Sequence, residues 1–231
     1  MAVNTSLVTL SGSLKVVKEG PGALNFSKEK QSFKGGIDVV AGKIYTSAAP
    51  ANWPFGGNGT QSKNASIITV NEGAEVAING KMGFAYMTIN LNGGTISGNS
   101  TQFNTTVNLL ADSYFKTTAN TKIPWLKICL NGFTLNVTIA ASTWLDFTDA
   151  TIENGIFNVV QGGTLRFYSA SNFSTADFRV KGAIDATAET SVRDYEWLYS
   201  TGEWNYNSGK LKVFGVFTPT TDCFYGCEMQ N

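Results

Sequence analysis

One short pattern recurs along this chain and limits what it can become: a glycine-centred turn, usually led by Asn or another polar residue, then an aliphatic two or three residues past the last glycine. It occurs at 39–44, 71–76, 91–96, 130–135, 160–165 and 206–211, ending on Ile44, Val76, Ile96, Leu135, Leu165 and Leu211. Glycine enters the left-handed region at no steric cost, so each copy reads as a strand, a tight turn and a second strand whose aliphatic points inward. The aliphatics lie about 20 to 46 residues apart, one or two coils of a β-solenoid at roughly 20–25 residues per coil. Asn beside these turns predicts an Asn stack that satisfies backbone groups buried between coils.

The stretch 12–44 carries the pattern in its densest form. Leu14 and Val16, Leu24 and Phe26, Ile37 and Val39, and then Ile44 give the alternation of four short, half-buried strands. Gly20-Pro21-Gly22, Gly35-Gly36 and Gly42 separate them, and the proline excludes a helix there. In order, Gly12, Leu14, Lys18, Gly20, Gly22, Leu24, Phe26, Ser27, Phe33, Gly35, Gly36, Val39, Gly42 and Ile44 resemble the landmarks of the autotransporter-associated repeat, the passenger-associated transport repeat of bacterial surface proteins. The resemblance covers this stretch alone. It implies a β-solenoid passenger of a secreted or surface-anchored protein, outer-membrane associated, that works beside a membrane translocator in the same polypeptide. It names no ligand.

Composition fits the same class. Gly is abundant (24 of 231 residues), sustained helical periods are missing, and 84–91, 137–139 and 165–167 alternate as strands do. Residues 144–147 and 156–160 do so less cleanly, and 183–198 reads as a loop with at most a helical turn. Segment 46–64, rich in Pro, Gly and Asn, is expected to be a loop or insertion, with Trp53 and Phe55 folded back onto the core. The expected fold is all-β: one single-stranded parallel β-helix over 1–231, right-handed by the crossover rule. The first residues lack the basic start and apolar segment of a signal peptide, so the chain reads as a piece of a larger polypeptide. The open strand edge near Asn231 would then favour self-association unless the 223–227 segment covers it.

Charge and residue inventory exclude several functions. Seventeen basic residues balance seventeen acidic ones, which argues against nucleic acid and against a polybasic membrane surface; no apolar run reaches membrane-spanning length. The chain has no histidine, so Ser-His-Asp and Cys-His nucleophilic sites and the usual catalytic zinc sites are out of reach. Neither metal nor cofactor is expected. Cys223 and Cys227 are close enough for a local disulfide, with two free thiols as the alternative, and Cys129 in an apolar run reads as a small buried hydrophobe.

Carboxylates group at Asp146, Asp149 and Glu153 and again at Asp177, Asp185, Glu189, Asp194 and Glu196, with Arg166, Arg179 and Arg193 as basic candidates. Some parallel β-helices degrade pectin, but the paired-Asp, Gly-His-Gly and Arg-x-Lys signatures of those hydrolases do not occur here, and solvated loop carboxylates explain the groups. The aromatic run 194–206 is different. Tyr195, Trp197, Tyr199 and Trp204 beside Glu196 and Glu203 combine flat rings with polar neighbours, as glycan sites do. The competing explanation is a strand packed beneath a loop. A structural and export segment without catalysis is therefore the leading expectation. An adhesin that uses 194–206 for host or environmental glycans or surface proteins comes second, and a polysaccharide lyase or hydrolase third.

Overall fold

The structure is a computed structural model that describes residues 2–4, 10–26, 31–46, 55, 67–78, 87–98, 105–124, 127–148, 150–161, 163–167, 171–180, 183–186, 190–197, 204–206, 211–213, 217–219 and 227–229. Every ladder between described strands is parallel, the described residues contain no helix, and the strands join into sheets of 20, 5 and 2 strands. The chain is a β-solenoid.

Coils in which all three strands are described visit three faces in turn. The first face stacks, among others, Val16–Lys18, Ile37–Val39, Ile67–Asn71, Met87–Asn92, Thr105–Leu109, Lys127–Cys129 and Thr151–Glu153. The second stacks Ala23–Asn25, Lys43–Tyr45, Glu75–Ile78, Thr95–Gly98, Ser113–Thr117, Thr134–Ile139 and Gly155–Gln161. On the third, Ser11–Gly12 pairs with Ser32–Phe33, and further along Thr121–Pro124, Trp144–Thr148, Thr164–Phe167, Ala183–Ala186 and Trp204–Tyr206 follow one another. Ser171–Val180 and Thr190–Trp197 run through the corner between the first two faces, which merges those faces into the 20-stranded sheet. Over the central coils, register partners lie from 18 residues apart (Asn90 and Asn108) to 24 apart (Cys129 and Glu153).

This register turns the sequence alternation into continuous rows. Ile37, Ile68, Ile89, Val107, Ile128 and Ile152 line up on the first face, all buried. On the second, Ile44, Val76, Ile96, Phe115, Val137, Val159 and Val180 do the same. Burying one such side chain is worth about 1.5–3 kcal/mol, so each coil is held mainly by what it stacks upon. Toward the C-terminal half the filling turns aromatic: Phe157 stacks on Phe178 and Phe173 on Phe178 at 5.0 Å, while Phe147 meets Phe157 edge-on at 5.6 Å.

Asn residues bind across the corners as expected. Asn131 Nδ2 donates to the Leu109 carbonyl (3.0 Å), and Asn71 Nδ2 donates to Asp38 Oδ1 (2.8 Å) and the Val39 carbonyl (3.2 Å). Asn131 and Asn154 themselves adopt positive φ, doing at their corners what glycine does at Gly42 and Gly73. Phe55 is buried and meets Phe26 edge-on at 5.2 Å, so that part of 46–64 folds onto the core; Trp53 lies outside the described residues.

Three sequence expectations need correction. Residues 183–198 hold the strands Ala183–Ala186 and Thr190–Trp197, because ladders to neighbouring coils on both sides override a locally weak β signal. Leu14 is 45% exposed, in the irregular link between Ser11–Gly12 and Val16–Lys18. Cys129 is half-buried: Ile128 and Leu130 take the interior positions on either side of it, leaving Cys129 on the outer row between Asn108 and Glu153.

Candidate functional site

The aromatic run weighed for glycan binding, with a packed strand as its competing explanation, falls partly on the strands Thr190–Trp197 and Trp204–Tyr206. Tyr195 pairs with Phe178 and Trp197 with Val180, both buried, while Trp204 pairs with Ile184, itself paired with the buried Leu165. Glu196 pairs with Arg179 on the alternate row. Tyr199 and Glu203 lie outside the described residues.

Among the described residues the carboxylates are spread over different faces, apart from the register pair Asp177 and Asp194. Asp146 is on the third face, buried, in register between Lys122 and Arg166, and the Arg166 guanidinium sits 4.8 Å from the centre of the Trp144 ring. Glu153 is on the first face, where it accepts from Lys127 at 3.1 Å and faces the Cys129 thiol at 3.8 Å. Burial first, then the neighbouring Glu153 carboxylate against the opposing pull of Lys127, pushes the Cys129 thiol above its usual pKa. Asp177 and Asp194 are register partners, and Asp177 accepts from Arg193 Nε at 2.6 Å; that bond holds the guanidinium pKa above its usual value. Asp185 pairs with Arg166. Asp149 and Glu189 lie outside the described residues, as does Cys223, and with it any Cys223–Cys227 pairing; Cys227 opens the strand Cys227–Met229. Among the described residues no three of His, Cys, Asp and Glu gather as metal ligands.

A different region is shaped to receive something. Where the first face turns into the second, successive corners leave an open groove of about 470 Å³, within the range of small-molecule sites. Glu72 contributes from one coil, Asn92 and Gly93 from the next, Asp112 and Tyr114 from the third and Phe133 from the fourth. Tyr114 is 46% exposed and Phe133 half-buried, so one side of the groove offers aromatic surface to solvent. Local bonds fix its walls. Asp112 Oδ1 accepts the Thr134 N–H (2.7 Å), Asn92 Nδ2 donates to Asn71 Oδ1 (3.0 Å), and the Tyr114 N–H donates to the Gly94 carbonyl (3.0 Å). Gly93, at φ +79°, keeps the floor low: a β-carbon there would press on the Glu72 side chain at 3.1 Å.

Compared with known protein families, curated proteins and solved structures, the chain gives no match.

Sequence reasoning passed over this groove for a physical reason. Its residues come from four coils, and only the register shows that Tyr114 follows Thr95 and precedes Asn136 on an outer row. The available signal was the corner 109–114, where Leu110-Ala111-Asp112 replaces the polar-glycine turn of the neighbouring coils.

Proposed function

We propose that the chain is a structural segment of a secreted or surface-anchored bacterial β-solenoid, similar to an autotransporter passenger, and that its contribution is architectural, without catalysis. The observation that carries this reading is the parallel stack, with one buried aliphatic or aromatic per coil along the first-face row from Ile37 to Val192. Such a stack makes a rod whose outer loops are free to be displayed. It also suits export: a coil that has stacked outside a membrane cannot slide back, so folding drives movement in one direction. The partners of this reading are the remainder of the parent polypeptide, including a translocator, and the location is the cell surface.

The landmarks of 12–44 support it at close range. Lys18 is almost fully buried, and its ammonium donates to the carbonyls of Glu19 (2.7 Å), Gly20 (2.7 Å) and Ala41 (3.0 Å), tying two successive corners together. Gly42, at φ +76°, lies against the Gly20 and Gly22 carbonyls and the same ammonium, leaving no room for a β-carbon. Lys18 and Gly42, two of the landmarks of the resemblance, are thus also residues this corner requires.

The test is export. Fused ahead of an autotransporter translocator in a Gram-negative host, the chain should reach the surface as a protease-resistant rod, and the same fusion lacking 12–44 should stall in the periplasm. Equal surface display of both fusions would remove the export role.

A further inference from the structure

We propose that the groove spanning Glu72, Asn92, Asp112, Tyr114 and Phe133 binds a neutral, linear oligosaccharide laid along the solenoid axis. This goes beyond the scaffold role and does not depend on it.

Three features of the groove select that ligand. First, the lining pairs an exposed aromatic ring, Tyr114, with two exposed carboxylates, Glu72 and Asp112, and the exposed amide of Asn92. A pyranose offers the complement: an apolar face of C–H groups that stacks on a ring, and hydroxyls that donate to carboxylate and amide oxygens. Second, no Lys or Arg among the described residues lines the groove, so a phosphate, sulfate or uronate would meet the two carboxylates with no described counter-charge beside them. Third, the lining comes from four successive coils, spaced along the axis by the strand separation of about 4.8 Å. A ligand that meets all of them must be elongated, spanning about 14 Å, which an oligosaccharide does and a single sugar does not. A folded protein partner fits poorly, since a stable interface needs about 800 Å² from each side, more than so small a lining offers.

The groove also has the rigidity that recognition needs. Asp112 is held by the Thr134 N–H, Asn92 by Asn71, and Tyr114 stands on a strand paired on both sides. Little ordering is left to be done on binding.

The experiment is calorimetric titration of the whole chain with neutral oligosaccharides of the β-glucan, xylan, mannan and galactan types. The expected result is that at least one binds, with an affinity that barely changes between low and high salt. Tyr114→Ala should weaken it about tenfold, Tyr114→Phe should keep most of it, and Glu72→Gln should weaken it measurably. Because these positions are exposed, all three variants should unfold at the wild-type temperature, which separates lost binding from lost fold. Failure of every oligosaccharide to bind, or binding that survives both Tyr114→Ala and Glu72→Gln, overturns the proposal. Binding whose affinity collapses with salt overturns it as well, since a neutral sugar held by ring stacking and hydrogen bonds has no net charge to screen.

Discussion

Lys18 shows how a single residue can close a corner. Its position in the register belongs to a row that continues as Val39, Val70, Leu91 and Leu109, all aliphatic and buried, yet here a cation enters that row and ends on three carbonyl oxygens. Replacing it with methionine keeps the length and removes the bonds. Lys18→Met is expected to lower the unfolding free energy by about 2–3 kcal/mol in a urea titration, since hydrogen bonds to a charged group are among the stronger ones. Gly42→Ala should cost at least as much, through a strained backbone and a collision with that corner. Glu75 carries a pH dependence. Partial burial disfavours its charged form, but hydrogen bonds from Lys43 (2.7 Å) and Ser97, with the positive charge of Lys43 and Lys116, outweigh that and hold its pKa below the usual glutamate value. A lowered carboxylate pKa stabilises the fold fully above the ordinary glutamate pKa and loses that contribution as pH falls through the folded value. Wild type should therefore exceed Glu75→Gln in stability at neutral pH, with the gap closing in acid; a gap that is constant with pH would refute the assignment.

At the scale of strands and corners, anchoring matters more than propensity. Phe55 belongs to a segment rich in Pro, Gly and Asn, yet its ring is buried against Phe26. Phe55→Ala should cost about 3–5 kcal/mol and make 47–66 an early target for proteolysis, whereas a solvent-facing ring would cost almost nothing. The same scale explains what could be read in advance. Ile37, Ile68, Ile89 and Val107 announce themselves because a strand with one buried face alternates whatever its neighbours do. Residues 190–197 do not, since TSVRDYEW owes its strand to pairing with Ser171–Val180 on one side and with Leu211–Val213 and Phe217–Pro219 on the other. Cys129 was misread because an apolar run hides which of its members faces out. Tyr114 poses a further difficulty: inward and outward follow from register, and register must be counted through corners of unequal length. The groove, drawn from four coils, was legible only once that count existed.

The whole molecule behaves as a line of similar units. Coils contact their immediate neighbours, so opening should start at the ends and stop wherever the rows are best filled. Amide exchange is expected to be slowest in the central coils, about 87–161, and to quicken toward both ends of the stack; uniform protection along the chain would contradict independent coil-by-coil opening. The arrangement of the hydrogen bonds has a mechanical consequence. In a solenoid they lie nearly parallel to the long axis, while the covalent chain runs across it. Tension applied between the two ends of the chain therefore loads one ladder at a time, as a zipper is loaded, and never all of them in shear. Pulled in an optical trap, the chain should lengthen in a staircase of small rips. Each rip would free one central coil of 18 to 24 residues, about 60–80 Å of extended chain, at nearly equal force. A rod that stands firm against bending and compression would thus yield to traction gradually, one turn at a time, and rewind when the load is released.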